Sequence, residues 1–120
     1  AADKDIVAGN YSTRVPPHRP VAFKSKTDLD SRVFSGNGIE KVWAVGSGMM
    51  LVKREVYENI SRPHYKIEYN EDYTSLVGED VYFCTLANNN GYEVNISHEL
   101  SDRIAHIGIR AYTVKGDCND

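Results

Sequence analysis

Gly78-Glu79-Asp80-Val81-Tyr82-Phe83-Cys84 is the stretch around which the rest of the chain is organised. It reads as a tight glycine turn that delivers two adjacent carboxylates to the start of a helix. Asp80, Phe83, Cys84 and Ala87 follow the i, i+3, i+4 rule, so one stripe of that helix can face a core. Asn88, Asn89 and Asn90 weaken the helix and are expected to face water, and Gly91 supplies the left-handed residue that commonly closes one. Glu79 and Asp80 lie where unpaired N–H groups and the helix dipole favour negative charge, by about 0.3 to 1 kcal/mol each at exposed sites. Capping is the ordinary account of such a pair. The alternative is that one carboxylate projects into a cleft and takes a proton from a substrate hydroxyl.

The surrounding composition bounds what that helix can belong to. The chain has 120 residues, 41% of them hydrophobic and 26% charged, which suits one small globular domain over residues 1–120 with a single core. Nothing approaches the roughly 18 uninterrupted apolar residues of a membrane span. Ala1-Ala2-Asp3-Lys4-Asp5 lacks the layout of a signal peptide, so a soluble, cytoplasmic protein is expected. A net charge of -3 and the absence of any long Lys/Arg run argue against a nucleic-acid partner. The two cysteines make neither a disulfide framework nor a CxxC pair: Cys84 reads as core and Cys118 as a free thiol in a polar tail.

Working outward from the helix, Asp5-Ile6-Val7-Ala8-Gly9 reads as a strand that stops in a turn, and so abrupt an opening hints at the back part of something longer. Pro16, Pro17 and Pro20 favour extended structure. Around them Arg14, His18 and Arg19 form a solvated loop or meet an anion. Val21-Ala22-Phe23 is a short strand candidate, and Ser35-Gly36-Asn37-Gly38 is a turn within a polar connection. Lys41 to Val52 is the most apolar run and reads as a buried strand. Gly46-Ser47-Gly48 inside it is a bare backbone patch of the kind found where a ligand or another backbone comes close, although tight packing alone also accounts for it.

Lys53 to Ile60 then has good helix formers, with Val56, Tyr57 and Ile60 on one face and Pro63 beyond the end. Tyr65, Tyr69 and Tyr73 recur on the way to Gly78, where tyrosines either stack on a flat ligand face or cover the core, and the second is expected. Tyr92 to Ser97 alternates polar and apolar residues as a half-buried strand does. His98 follows it, and His106 lies between Ile104 and Ile107, where a hydrogen-bonded core histidine is the usual occupant. Strands and helices alternating incompletely point to an α/β or α+β domain with a mixed sheet and two main helices.

Three pieces in order carry a resemblance: Val45-Gly46-Ser47-Gly48-Met49-Met50-Leu51-Val52-Lys53-Arg54-Glu55-Val56, then Gly78 to Cys84, then His106-Ile107-Gly108. Together they resemble the second half of GT-A type glycosyltransferases of the family 2-like kind, over about Asp5 to Gly108. The resemblance implies that Gly46, Ser47 and Gly48, with Trp43 just ahead, line an acceptor cleft. It implies that Asp80, or failing that Glu79, is the catalytic base, and that His106 helps hold Mg2+ or Mn2+. Its first half, a βαβ nucleotide-binding unit ending in Asp-x-Asp, has no counterpart here. Asp3-Lys4-Asp5 lacks a preceding apolar strand, and Asp28-Leu29-Asp30 lies in the polar connection.

The expectation is therefore an acceptor-side half of the fold, lacking the N-terminal nucleotide-binding half and inactive alone. In the full enzyme a sugar passes from a nucleotide-sugar to a carbohydrate acceptor hydroxyl. A divalent ion wants several oxygen ligands, so His106 alone would hold one poorly. An uncovered sheet edge or apolar face would favour homo-oligomers. The alternative is a non-catalytic carbohydrate-binding or assembly module derived from that fold. A third reading, a metal-dependent hydrolase using Glu79, Asp80 and His106, needs further acids or histidines near them.

Overall fold

The computed structural model describes residues 4–13, 18–25, 31–107, 111–114 and 116–117. The expected opening strand is β1 (Ile6–Ala8), and it lies inside a four-stranded mixed sheet with β2 (Ile39–Val42), β3 (Met50–Val52) and β6 (Val94–Ser97). The strand order is β2-β6-β1-β3, with β1 and β6 parallel and both outer pairs antiparallel. The fold is α+β.

Register explains why these short strands suffice. Val42, Val94, Ile6 and Val52 form one row across the sheet, and Glu40, Ile96, Ala8 and Met50 form the second row on the same face. Neighbours in such a row stand close enough to pack on one another. Ile6, Ala8, Val42, Val94 and Ile96 are fully or almost fully buried in a core that also takes Val56 and Ile60 from the α1 region and Phe83, Cys84 and Ala87 from α2. Helix α1 covers Arg54–Asn59 and α2 covers Glu79–Asn89. Between the two helices runs a small hairpin, β4 (Glu68–Tyr69) with β5 (Leu76–Val77), which leads the chain into Gly78. Helix α3 (His98–Ser101) follows β6, with Ser97 as its cap accepting from Leu100 N. Beyond it β7 (His106–Ile107), β8 (Ala111–Thr113) and β9 (Gly116–Asp117) make a separate antiparallel sheet. Among the described residues, no helix is long and apolar enough to cross a membrane.

Four readings of the sequence need correction. The apolar run Lys41 to Val52 is not one buried strand. It ends β2 on one edge of the sheet, crosses over, and starts β3 on the other edge, where Leu51 is 73% exposed. Val94 to Ser97 is not half-buried: it is an inner strand in which Val94, Asn95 and Ile96 are all buried. Asn95 tolerates this because its amide donates to Ile6 O at 3.2 Å, and a buried amide without a partner is costly. Val21-Ala22-Phe23 forms only isolated bridges, from Phe23 to Arg32 and Ala44. Asn88 does not face open water either, since its side chain donates to Trp43 O at 2.8 Å and ties α2 to the end of β2.

Candidate functional site: a cleft at the start of the second helix

Helix α2 matches its sequence reading at both ends. Gly78 is extended at the cap and Gly91 takes a φ of 85° after the last turn, while Phe83, Cys84 and Ala87 are completely buried. The two carboxylates then divide. Asp80 is half-buried, and its Oδ1 accepts from Val81 N at 2.8 Å, which satisfies one of the donors a helix start leaves unpaired. Glu79 is exposed and lines a cleft of 440 Å³ together with Ser47, Met50, Val52, Tyr57 and Tyr65. Capping thus describes Asp80, and projection into a cleft describes Glu79.

Besides α2, the cleft draws on four parts of the chain. Ser47 comes from the crossover between the two edge strands, Met50 and Val52 from β3, Tyr57 from α1, and Tyr65 from the segment before β4. Tyr57 and Tyr65 place their hydroxyls 2.7 Å apart. Beneath them lies Phe83, with its ring 4.9 Å from Tyr65 in a stacked pair and 5.5 Å from Tyr57. Burial first, then the bond to Tyr57, pushes the Tyr65 phenol well above its ordinary range, so it stays neutral. Tyr65 stacks on buried Phe83 yet is itself 40% exposed and lines the cleft, and Tyr69 and Tyr73 on the hairpin, also expected to cover the core, are 60% and 76% exposed.

The bare patch has a specific occupant. A Cβ on Gly46 would stand 2.5 Å from Tyr11 Oη, and one on Gly48 would stand 2.8 Å from the same ring. Real side chains do not approach so closely, and Tyr11 Oη accepts from Gly48 N at 3.0 Å, so both glycines make room for this tyrosine. Burial raises the Tyr11 phenol and the charge of nearby Asp80 raises it further. Of the three residues read as acceptor-binding in this patch, Ser47 lines the main cleft, while Gly48 borders a second pocket of 270 Å³ with Tyr11, Met49, Ile104 and Ala105. Trp43 is half-buried and packs against the core, with its carbonyl held by Asn88.

His106 sits on β7 in the separate sheet, and its side chain lies outside the described residues, as do Arg14, Asp28, Asp30 and Cys118. Among the described residues no group of three or more His, Cys, Asp and Glu comes together in a way that could hold a metal ion. Glu79 and Asp80 alone do not meet the six or more oxygen ligands of a hard divalent cation. Sequence reasoning pointed to Glu79 and Ser47, which line the cleft, and to Asp80, which does not. It missed Tyr11, for which the sequence carries no signal, and the pairing of Tyr57 with Tyr65, of which only the inward face of Tyr57 was legible.

Cys84 lies directly under this end of the helix, its Sγ 3.7 Å from Val45 O. Burial, and then the Asp80 charge, pushes its thiol up to about 11 from 9.0. The folded thiol therefore keeps its proton between about pH 9 and pH 11, where the unfolded thiol loses it. The associated stability is complete below about pH 9 and is lost as pH rises through about 11, by on the order of 2 kcal/mol. Urea midpoints are expected to fall between pH 8 and pH 10.5, and to fall less in Cys84→Ala. Equal falls in the two proteins would rule out this thiol as the source.

No family model matches the chain, and no curated protein matches it. Among solved structures, the crystal structure of A197 from STIV is similar, with a TM-score of 0.55 and 22% sequence identity over 98% of this chain. The match covers 53% of A197, so this chain spans about half of that protein's length. At this identity the likeness concerns the fold alone.

Proposed function

We propose that the cleft at the start of α2 is the acceptor side of a sugar-transfer site, in a GT-A type arrangement of the family 2-like kind. One observation carries the reading. Glu79, from the acidic motif, and Ser47, from the Gly46-Ser47-Gly48 motif, lie 32 positions apart in sequence and line the same cleft. A carboxylate at such a place can accept the proton of a bound hydroxyl once that hydroxyl is within hydrogen-bond reach. Asp80, whose Oδ1 accepts from Val81 N, helps hold the first turn in place. Ser47 and the two tyrosine hydroxyls can orient an acceptor through its other hydroxyls. The tyrosine lining equally suits a carbohydrate-binding module without transfer, in which Glu79 serves only as a hydrogen-bond acceptor.

Backbone-amide NMR titration of the chain with methyl glycosides tests the site. Shifts are expected to cluster at Ser47, Tyr57, Tyr65 and Glu79. Shifts confined to other surfaces, or none with any sugar, would overturn the reading.

A further inference from the structure

We infer that this cleft selects an uncharged, polyhydroxylated ligand over a phosphorylated one, with Glu79 disfavouring the phosphate and the Tyr57–Tyr65 hydroxyl pair holding the neutral ligand. The inference rests on the proposed function and narrows it. Two phenols 2.7 Å apart share one proton in their mutual bond, which leaves the pair able both to donate and to accept. That is the pattern a sugar hydroxyl needs, since it too is donor and acceptor at once.

The pair is also fixed in place. Tyr65 stacks on Phe83 at 16° between ring planes, and Tyr57 packs between Phe83 and His64, with centroids 5.5 Å and 5.1 Å away. Hydroxyls held on packed rings lose little freedom when a ligand binds. Met50 and Val52 give the cleft an apolar wall for the C–H face of a ring, and 440 Å³ lies within the range of small-molecule sites.

Charge supplies the discrimination. Glu79 is the charged side chain among the described lining residues, and the other polar groups there, Ser47, Tyr57 and Tyr65, are neutral. A phosphate placed in the cleft would meet a carboxylate instead of a cation, and like charges brought within a few ångströms repel each other. We therefore expect at least about a tenfold preference for the neutral form of a ligand.

The test compares methyl hexosides with the corresponding hexose 6-phosphates, and myo-inositol with inositol monophosphate, by NMR titration of the intact chain. Neutral ligands are expected to bind at least about tenfold tighter, and Glu79→Gln is expected to narrow that gap by restoring the phosphorylated forms. Tyr57→Phe and Tyr65→Phe each lose one hydroxyl and keep the ring, and are expected to weaken neutral ligands about two- to tenfold with little change in melting temperature. Equal or tighter binding of the phosphorylated forms, or neutral binding unchanged in both phenylalanine variants, overturns this inference and leaves the sugar-transfer reading standing. A neutral preference shown by the inositols alone, with no sugar shifting the cleft, removes the sugar-transfer reading and keeps the inference. No ligand of either kind at the cleft overturns both.

Discussion

Phe83→Ala is expected to destabilise the chain by about 3 to 5 kcal/mol, the usual range for removing a large aromatic from a core. Phe83 is completely buried and is the largest side chain in that state. It sits on the inward stripe of α2 and also forms the floor under Tyr57 and Tyr65. Small domains have about 5 to 15 kcal/mol in total, so the loss is about a fifth or more of what holds the fold. Phe83→Leu keeps much of the volume and is expected to cost less than half as much. Urea unfolding gives both values, and a loss under about 1 kcal/mol for the alanine variant would show that α2 does not anchor the core as described. The tyrosine pair is expected to loosen in parallel, because its rings would have a cavity beneath them.

How far the sequence could be read follows the distance over which each feature is determined. Helix α2 was legible end to end because its signals are local: glycine at either end, and Phe83, Cys84 and Ala87 recurring at the helical period. The sheet was legible only as a set of strands. Its order places β6 between β2 and β1, so strands close in sequence are separated and the two ends of one apolar run land on opposite edges. Nothing in Lys41 to Val52 announces that; only Gly46 and Gly48 mark the break, and the ring that explains them, Tyr11, comes from 37 residues away. Asn95 misled in the opposite way. Alternation assigned it to the solvent face, but its amide found the Ile6 carbonyl in the neighbouring parallel strand, which makes burial tolerable.

The candidate site divides along the same line. Glu79, Asp80 and Ser47 were legible because a short motif carries each of them. The cleft that Glu79 and Ser47 share was not, since it needs α1, β3 and the segment before β4 to meet at one end of α2. Which carboxylate faces it was not legible either. Adjacent helical residues point about 100° apart, so only one of two neighbours can be aimed at a given cleft.

That division gives the prediction with the largest effect on activity. In a sugar-transfer assay with the nucleotide-binding half supplied, Glu79→Gln is expected to lower kcat by about 10²- to 10⁴-fold with a small change in KM, because the amide keeps the shape and cannot take a proton. Asp80→Asn is expected to cost much less. Its amide oxygen can still accept from Val81 N, as Oδ1 does now, and the missing charge at the helix start is worth only about 0.3 to 1 kcal/mol of stability. The resemblance to family 2-like enzymes implies the reverse order, with Asp80 as the base, so the two variants compared side by side decide between the motif and the geometry. A larger loss in Asp80→Asn would assign the base to Asp80 and leave Glu79 to position the acceptor. Transfer unaffected in both variants would remove proton abstraction by this pair altogether, while binding lost in Glu79→Gln with no transfer in the wild type would leave a carbohydrate-binding cleft that uses its carboxylate as a hydrogen-bond acceptor.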